Sequence, residues 1–474
     1  MTIIRPKISV LNNEYKTKIL DEAKSILQTQ GVFIENREAT ELLKKEGLKE
    51  KDSRFFIPSD IIDRCLNTVP NEIKLYDREG QNHLTLGGDQ IHYDPGSAAI
   101  LILDEETGEI RNAQAADFIR FSKIVEHLTY IDAQSTALIY QDVPKNAQDW
   151  HRLYLALTYC YKPVITGTFR KESFSIMREL LLTCRKSEKD LAEKPLAIFD
   201  ACPSPPLKWS DLTTQSVIDA AQSMIPSEFV SMPLAGASAP ITLLGSITQH
   251  CAESLAGVVI AQLAKKGAPI IWGGSPAILD MKAGTTPMGA IETMMINLGD
   301  IEMGKYLKIP THAYMSLSDA KVPDSQAGFE AGMGALLAGI AGINMISGPG
   351  MLDFESTQSI EKLIIDNEIC GMVKRFLKGI NDYGSPFASE ILKDYDEKQE
   401  LLSHPSTLKL FREELFLTSP VIDRTTRDSW KALGSKSARK RAIEEAFKFE
   451  KKGALKPISD DLLNELKGVA TKYL

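Results

Sequence analysis

The stretch of sequence that decides the fold is residues 311–372, THAYMSLSDAKVPDSQAGFEAGMGALLAGIAGINMISGPGMLDFESTQSIEKLIIDNEICGM. Its pattern predicts a strand, a polar loop, a helix of small residues, a second strand, a Gly-Pro-Gly turn and another helix. Side chains able to hold a small cation follow the strands: Asp319, Asp324, Asp353 and Phe354. The stretch therefore predicts strand–helix units with polar groups at the strand ends.

The same alternation extends over residues 115–379, where seven predicted strands alternate with helices. Strands separated by helices run parallel and are joined by right-handed crossovers. An open doubly wound sheet and an eight-stranded barrel both fit this pattern. No GxGxxG follows an early strand, and the number and length of the units favour a parallel (β/α)8 TIM-type barrel of the α/β class. The eighth strand is expected either just before Ala115 or around residues 383–391.

The flanking segments differ from this repeat and predict three regions. Residues 1–112 are expected to form helices and a small antiparallel sheet, because Gly and Pro punctuate short strands after residue 72. Residues 113–380 form the predicted catalytic barrel, and residues 381–474 a helical C-terminal extension. Within that extension, residues 431–452 carry eight Lys or Arg against three Glu. This segment is either a solvated helix or a docking face for an acidic partner protein.

Composition excludes several classes of protein. The chain has 474 residues, of which 43% are hydrophobic and 25% charged, and this balance is typical of a globular protein. Its net charge of -8 argues against a nucleic-acid-binding surface. Six scattered cysteines without a CxxC pair indicate reduced thiols and a cytoplasmic location. The N-terminus turns polar too soon for a signal peptide. The most apolar run, residues 331–346, is too short and too rich in glycine to span a membrane.

In a parallel barrel the site lies at the C-terminal ends of the strands. The predicted strand ends are rich in Gly, Ser and Ala, and the chain has no GxSxG, P-loop or HExxH motif. What remains are aromatic and acidic residues near strand ends: Tyr140, Phe169, Trp272, Tyr314, Phe354, Asp94, Asp142, Asp319, Asp324 and Asp353. Aromatic faces beside carboxylates suit a quaternary ammonium, which has no N–H to donate.

Three histidine positions leave alternatives open. His250 and Glu253 have helical spacing, but without further ligands core packing is the simpler reading. His312, inside a predicted strand, either points into the barrel mouth or is an ordinary buried histidine. The tripeptide at residues 92–94, HYD, either caps a Pro-Gly turn or reaches over the mouth.

Several long motifs, in order, resemble the trimethylamine:corrinoid methyltransferase family. They are the segment Ser318–Glu330, the turn Gly348–Leu352 and the run DNEI at residues 366–369, and residues 93–113 look like the family's N-terminal sheet. The likeness covers most of residues 12–379. It implies a parallel barrel that moves a methyl group from an amine to the Co(I) corrinoid (cobalamin) of a separate small corrinoid protein, with no metal bound directly.

One departure from the family changes the expected substrate. Its trimethylamine enzymes carry a pyrrolysine, whereas this chain reads through with standard residues. Family members without pyrrolysine are associated with quaternary amines, so the resemblance implies a betaine: glycine betaine first, then proline betaine or carnitine. Such a substrate leaves as a neutral tertiary amine that needs no general acid, and Co(I) is itself a strong nucleophile. No catalytic side chain is therefore predicted.

Motif positions give the expected roles of individual residues. The predicted substrate-binding residues are Tyr93, Asp94, Trp272, Tyr314 and Phe354, and all of them except Tyr314 are expected to form an ammonium cage. The predicted residues of the mouth and corrinoid-facing rim are Gly273, Gly274, Asp319, Asp324, Gln326, Glu330, Gly348 and Gly350. The Gly348 and Gly350 amides are candidates for holding a substrate carboxylate or the corrinoid.

Two other functions remain open. One is a barrel lyase or aldolase that uses a lysine Schiff base, with candidates Lys162, Lys282, Lys308 and Lys321, although none lies within an apolar strand that would lower its pKa. The other is a non-catalytic barrel that binds betaines. In either case we expect a homo-oligomer without a nucleic-acid or membrane partner.

Overall fold

The computed structural model describes residues 5–96, 98–393 and 401–474. Ser97, in the predicted N-terminal sheet, and residues 394–400, in the predicted C-terminal extension, lie outside the described residues. The fold is of the α/β class with parallel sheets, as the alternation of strands and helices predicts.

The elements follow one another in three groups. The first group is α1 (Asn13–Thr29), β1 (Val32–Ile34), α2 (Arg37–Lys45), β2 (Lys49–Lys51), β3 (Arg54–Phe56), α3 (Ser59–Leu66), β4 (Ile73–Tyr76), β5 (His83–Leu86), β6 (His92–Asp94), β7 (Leu101–Leu103) and β8 (Ile110–Asn112). The second group is α4 (Ala115–His127), β9 (Gln134–Ser135), α5 (Gln148–Tyr159), β10 (Val164–Gly167), α6 (Ser173–Thr183), α7 (Glu188–Glu193), β11 (Ala197–Ala201), β12 (Lys208–Trp209), α8 (Asp211–Gln222), β13 (Ser227–Ser231), β14 (Leu234–Ala235), α9 (Leu243–Ala264), β15 (Ile270–Gly274), β16 (Ala277–Ile278), α10 (Ile291–Tyr306), β17 (His312–Tyr314), α11 (Ser325–Ala341), β18 (Met345–Ser347), β19 (Met351–Leu352), β20 (Thr357–Gln358) and α12 (Ile360–Leu377). The third group is α13 (Ser389–Lys393), a 3-10 turn (Leu401–Ser403), α14 (Pro405–Glu414), α15 (Arg427–Ala432), α16 (Ala438–Glu450) and α17 (Asp460–Tyr473).

Two parallel sheets form the centre of the molecule. One has the strand order β15–β13–β11–β10–β9, and the other the order β17–β18–β6. Hydrogen bonds join the sheets at both sides. Trp272 of β15 forms a parallel bridge with Thr311 beside β17, and the N–H groups of Asp132 and Ala133 donate to the Tyr93 carbonyl, at 2.7 and 3.2 Å. Eight parallel strands are thus linked in one continuous hydrogen-bonded order.

The first strand of this order is β6, which the sequence does not reveal. His92–Asp94 pairs parallel with Met345–Ser347, earlier in the chain than either position expected for the eighth strand. Its three residues precede a Pro-Gly pair and read as one arm of a small antiparallel sheet. That sheet does exist on either side of β6, because β4 pairs antiparallel with β5 and β7 with β8.

The β4–β5 hairpin fills the amino-terminal end of the parallel strands. Its Ile73, Leu75 and Leu86 pack in one buried cluster with apolar residues at the strand starts: Ala133, Ile165, Ile198, Ile271 and Met345. Because side chains alternate along a strand, the residues two positions later share this inner face. The hairpin therefore seals one end and leaves the inner face open toward the carboxyl ends of the strands.

Helix ends in the stretch that decides the fold follow local capping rules. The Asp324 side chain accepts the N–H groups of Gln326 and Ala327 at the start of α11. Gly342 ends that helix at a φ of 71°, where a side chain would be strained. Among the described residues, the helix α9 is long and apolar enough to cross a membrane, but 78% of its most apolar window is buried inside the protein.

The C-terminal extension packs back on the body of the protein. Helix α16 lies against α12 and α4, and Arg439 forms an ion pair with the buried Glu361 at 3.1 Å. Within the extension, Lys436 pairs with Glu444 at 2.7 Å. A substantial part of the basic charge noted in the sequence is thus neutralised within the chain.

Candidate functional site

A cavity of about 320 Å³ opens at the carboxyl ends of the parallel strands. Its walls come from several strand ends, from α5 and from the turn between β19 and β20. The lining residues that carry charge, aromatic rings or hydroxyls include Thr136, Arg152, Phe169, Asp200, Tyr314 and Glu355. At this size the cavity suits a small metabolite.

Arg152 supplies the positive charge of the cavity. The side chain is almost fully buried; its Nη1 donates to the Thr136 carbonyl at 2.7 Å and its Nε to the Gln148 carbonyl at 3.0 Å. Its guanidinium lies 4.5 Å from the centre of the Phe169 ring. Burial lowers the pKa of Arg152 to about 10, so the group is still a cation at neutral pH. These contacts fix the position of the guanidinium.

Two aromatic rings share the cavity with Arg152. Tyr314 lies at the end of β17, is largely buried and meets the His312 ring edge to face, with ring centres 4.9 Å apart. Phe169 follows β10 and is 38% exposed. Tyr314 is therefore one predicted substrate-binding residue that the structure places in the cavity.

Glu355 closes part of the cavity from the turn between β19 and β20. The turn is strained, because Asp353, Phe354 and Glu355 are consecutive non-glycine residues with φ of 51°, 55° and 68°. Burial, with a smaller contribution from the negative charge of Asp319, raises the pKa of Glu355 to about 8. Glu355 is thus a carboxyl of the cavity wall that resists ionisation at neutral pH.

Beneath the cavity lies a chain of buried polar side chains, which we call the acid network: Asp94, Asp200, Glu228, His312 and Ser347. His312 Nδ1 lies 2.8 Å from Glu228 Oε1, and His312 Nε2 lies 2.9 Å from Ser347 Oγ. Ser347 Oγ donates to Asp94 Oδ2 at 2.6 Å. Asp200 stands opposite Glu228 on the neighbouring strand and reaches the cavity wall.

Burial determines the charge of the acid network. It raises the pKa of Asp94, Asp200 and Glu228 well above the usual range of carboxyls. It lowers the pKa of His312 to about 4. The network therefore holds protonated carboxyls and a neutral imidazole. His312 points to the interior of the strands, where it is fully buried, and it is not among the residues that line the cavity at the mouth.

Two predicted cage residues face away from the cavity. The Tyr93 hydroxyl donates to the Ala335 carbonyl of α11 at 3.2 Å, and the Trp272 Nε1 donates to the Asp300 carbonyl of α10 at 3.0 Å. Both rings are fully buried between strand and helix. The reason is strand parity: in β6 it is Asp94, one position later, that points inward and joins the acid network. The structure does not bring Tyr93 and Trp272 to the cavity.

Phe354 lies beside the cavity, but its ring is already covered. The Lys321 ammonium sits 3.7 Å from the ring centre and also pairs with Asp353 at 2.9 Å. An internal cation therefore occupies the ring face that the sequence assigned to the substrate.

The predicted rim carboxyls form a connected group. Asp319 accepts the N–H groups of Met288 and Gly289, both at 2.8 Å. Glu330 accepts the Ser318 hydroxyl at 2.5 Å and the Gln326 side-chain amide at 2.9 Å. Burial is the largest cause that raises the pKa of Asp319 to about 6. These contacts, with Asp324 as the cap of α11, brace the loops around the mouth.

The predicted glycines are places of close packing. A Cβ at Gly348, which has a φ of 151°, would collide with the Met315 carbonyl, and one at Gly273 would lie 2.9 Å from His312 Nδ1. Gly274 faces His250 in the same way. The Gly348 N–H donates to the Asp94 carbonyl at 3.3 Å, and the Gly350 N–H to Asp366 Oδ2 at 2.7 Å. Both amides are therefore engaged within the protein and not available to a ligand.

His250 and Glu253 are packing residues. His250 Nε2 contacts the Gly273 carbonyl at 3.0 Å, and Glu253 accepts the Leu207 N–H at 2.9 Å. Among the described residues, no group of three or more His, Cys, Asp or Glu side chains could hold a metal ion.

A larger cavity, of about 520 Å³, lies at the opposite edge of the strands, beside Lys162. Lys162 Nζ donates to the carbonyls of Val125, Leu128 and Ile131 at 2.7, 2.8 and 2.6 Å. The ammonium thus fixes the end of α4 and cannot attack a carbonyl substrate. Despite its size, this cavity lies away from the carboxyl ends of the strands, where barrel chemistry takes place.

Sequence reasoning missed three principal residues of the site. Asp200 and Glu228 stand within apolar strands, and a carboxyl buried in a parallel sheet must have a partner, so that signal was available. Arg152 lies within a helix of mixed polarity, and nothing in its spacing indicates that it turns inward.

Comparisons with known proteins agree over nearly the whole chain. The family model described as trimethylamine methyltransferase (MTTB) matches residues 2–470. Trimethylamine methyltransferase MttB of Desulfitobacterium hafniense (strain DSM 10664 / DCB-2) is 28% identical over 446 residues, 94% of this chain and 90% of that protein. Glycine betaine methyltransferase of Desulfitobacterium hafniense (strain Y51) is 26% identical over 427 residues, 90% and 89% of the two chains. The crystal structure of the Methanosarcina barkeri monomethylamine methyltransferase (MtmB) aligns with a TM-score of 0.49 and 12% identity, over 99% of this chain and 95% of that one.

Proposed function

The chain is an enzyme of the trimethylamine methyltransferase family, and we propose that it moves a methyl group from a betaine to the Co(I) corrinoid of a separate small corrinoid protein. Glycine betaine is the favoured substrate, followed by proline betaine and carnitine. A relative named glycine betaine methyltransferase supports this class of substrate. We also infer that the eight linked strands form the closed (β/α)8 barrel expected from the sequence.

The observation that carries the betaine proposal is that one small cavity holds a guanidinium, aromatic faces and carboxyls. A betaine has a fixed positive charge and a carboxylate a few bonds away. The cavity offers a guanidinium at Arg152, ring faces at Tyr314 and Phe169, and carboxyls at Asp200 and Glu355. Arginine grips a carboxylate by two parallel hydrogen bonds, and aromatic faces attract a quaternary ammonium. Trimethylamine has no carboxylate and gives Arg152 no role.

In the proposed complex, Arg152 holds the substrate carboxylate and Tyr314 faces the ammonium. Asp200 and Glu355 lie close enough to the cavity to balance the positive nitrogen. The methyl group to be transferred then points to the open mouth, where the corrinoid protein docks. The corrinoid cobalt supplies the nucleophile, and the chain supplies orientation, which contributes on the order of 7–11 kcal/mol when the reacting atoms are aligned.

The proposed chemistry does not need the carboxyls of the cavity as general acids. When a methyl group leaves a quaternary nitrogen, the product is a neutral tertiary amine that needs no proton. We place Asp319, Asp324, Gln326 and Glu330 at the rim, where they brace the loops that face the partner protein. Six free cysteines support the expected cytoplasmic location. Self-association remains a prediction.

The experiment that tests the function is an anaerobic assay with purified full-length protein and chemically reduced cob(I)alamin. The amines to compare are glycine betaine, proline betaine, carnitine, choline and trimethylamine. Loss of the Co(I) absorbance band with a betaine, but not with choline or trimethylamine, is the expected result. Reaction with trimethylamine alone would overturn the betaine assignment. Binding of betaine without any turnover, even with a matched corrinoid protein, would favour the non-catalytic alternative.

A further inference from the structure

The carboxyls of the acid network carry protons, and the proposed methyl transfer uses none of them. Asp94, Glu228, His312 and Ser347 are fully buried, and Asp200 alone is partly exposed, toward the cavity. Among the described side chains, Asp200 Oδ1 and Asp94 Oδ1 are buried without a hydrogen-bond partner. A buried carboxyl without a compensating cation is costly to ionise. The acid network therefore holds ionisable protons directly below the cavity.

The groups that face Asp200 come from every element around it. They are Glu228 of β13, His312 and Tyr314 of β17, Asp94 of β6, Arg152 of α5, Cys202 beyond the end of β11, and Glu355 of the β19–β20 turn. Of these, only Arg152 is a cation in the empty cavity. Its single positive charge is insufficient for the four carboxyls of this group, and in the proposed complex it is engaged by the substrate carboxylate.

We propose that binding of a quaternary ammonium in this cavity expels one proton from the acid network, so that Asp200 becomes the counter-ion of the substrate. This inference rests on the proposed function, because it takes the substrate to be a permanent cation. The step balances: the O–H bond of the Asp200 carboxyl breaks, the carboxylate keeps the electron pair, and the proton passes through the open cavity to water.

The physical reason is the fixed charge of the ligand. A positive charge within about 4–6 Å of a carboxyl stabilises its ionised form and lowers its pKa by about 1–3 units. The quaternary nitrogen cannot donate a hydrogen bond, so the new carboxylate must be stabilised from its other side. Glu228 is placed to do this, because it stands opposite Asp200 on the neighbouring strand and lies 2.8 Å from His312 Nδ1.

The inference is tested by titration calorimetry of the full chain with glycine betaine. The binding enthalpy is measured at neutral pH in several buffers that differ in ionisation enthalpy, and its slope against that enthalpy counts the protons released. We expect a slope of about one proton. Linkage then requires the Kd to rise about tenfold for each pH unit below neutrality, because added protons oppose a binding step that releases one. Infrared difference spectra should show loss of a carboxylic-acid carbonyl band on binding.

Two variants separate the network from other carboxyls. Asp200→Asn cannot ionise and should bind betaine more weakly, with a slope near zero. Glu126→Gln is the matched control: Glu126 is also a buried carboxyl whose pKa is raised by burial, but it lies by the cavity at the opposite edge. It should keep the wild-type slope.

The outcomes distinguish the two proposals. Betaine that binds with no buffer dependence, a pH-independent Kd and an unchanged infrared band would overturn the proton release and leave the proposed function intact. If glycine betaine, carnitine and tetramethylammonium all fail to bind, the substrate class itself is wrong, and proton release by a bound cation is refuted with it. The pH dependence and infrared band need no variant, so they decide the question even if Asp200→Asn does not fold.

Discussion

Replacing Arg152 with lysine is expected to weaken glycine betaine binding far more than choline binding. The arginine is held by the Thr136 and Gln148 carbonyls and by the Phe169 ring, so its guanidinium presents a fixed edge to the cavity. Lysine keeps the positive charge but has a compact ammonium without the planar fork that grips a carboxylate twice. The substitution therefore tests the geometry of the contact, with the charge held constant.

The expected size of the effect follows from the bonds that change. One charge-assisted hydrogen bond to the substrate carboxylate is lost, at about 1.5–3 kcal/mol. At 1.4 kcal/mol per factor of ten, the Kd of glycine betaine should rise about 10- to 150-fold. Choline carries the same trimethylammonium group without a carboxylate. Its Kd should change by less than about threefold, because it makes no hydrogen bond to Arg152.

The assay is calorimetric titration of both ligands, with Co(I) decay rates as a second readout. Arg178→Lys is the matched control, because Arg178 is paired with Glu188 on the surface of α6, away from the cavity. Equal weakening of glycine betaine and choline would show that Arg152 only shapes the fold. No effect on either ligand would remove Arg152 from the site and, with it, the main support for a betaine.

Three further predictions concern stability. Lys162→Met should lower the free energy of unfolding by about 3 kcal/mol, because three carbonyls lose a charged donor. Denaturant unfolding measures this, and an unchanged free energy of unfolding would contradict the structural role of Lys162. Gly348→Ala should lower the free energy of unfolding by about 3 kcal/mol, because the new Cβ would strike the Met315 carbonyl. Gly328→Ala, where a Cβ would meet nothing within 4 Å, should raise it by about 1 kcal/mol through helix stability. Thermal unfolding of the two variants checks this, and equal melting temperatures would refute it. Glu355, whose pKa is raised from 4.5 to about 8, keeps a proton in the folded protein that the unfolded chain releases. Its contribution to stability is therefore full below about pH 4.5 and is lost as the pH rises through about 8. Glu355→Gln should remove this part of the decline in unfolding temperature, and an unchanged pH profile would contradict it.

The fold could be predicted where the sequence pattern is periodic. Seven of the parallel strands follow from the strand–helix alternation, and the family resemblance is confirmed by a match over residues 2–470. The first strand, β6, could not be found in this way, because three residues before a turn carry no periodic signal. It is assigned only by its pairing with β18, a contact 253 residues away in sequence between Asp94 and Ser347.

The site was predicted less well, and strand parity explains why. The candidate cavity lies at the C-terminal ends of the strands, where the sequence predicted a site, and Tyr314 lines it. However, a shift of one residue moves a side chain to the other face, so Tyr93 and Trp272 face helices while Asp94 and His312 face inward. The sequence does not fix the register of a short strand, so it does not decide which of two adjacent residues faces inward. Counting ionisable residues inside the apolar strands would have located Asp200 and Glu228.

The protonation of the acid network also bears on the choice between tertiary and quaternary amines. A protonated tertiary amine can give up its proton in a cavity that resists charge and bind as a neutral molecule. A quaternary ammonium cannot, so its charge must be matched by a carboxylate, and the network supplies one by releasing a proton. After methyl transfer the product is a neutral tertiary amine, and the carboxylate below it has no partner. Asp200 then takes up a proton again, because the buried ionised form is disfavoured. Under this proposal the same carboxyl is charged while the substrate is bound and neutral when the product leaves, which explains an acid-rich floor in an enzyme whose reaction needs no general acid.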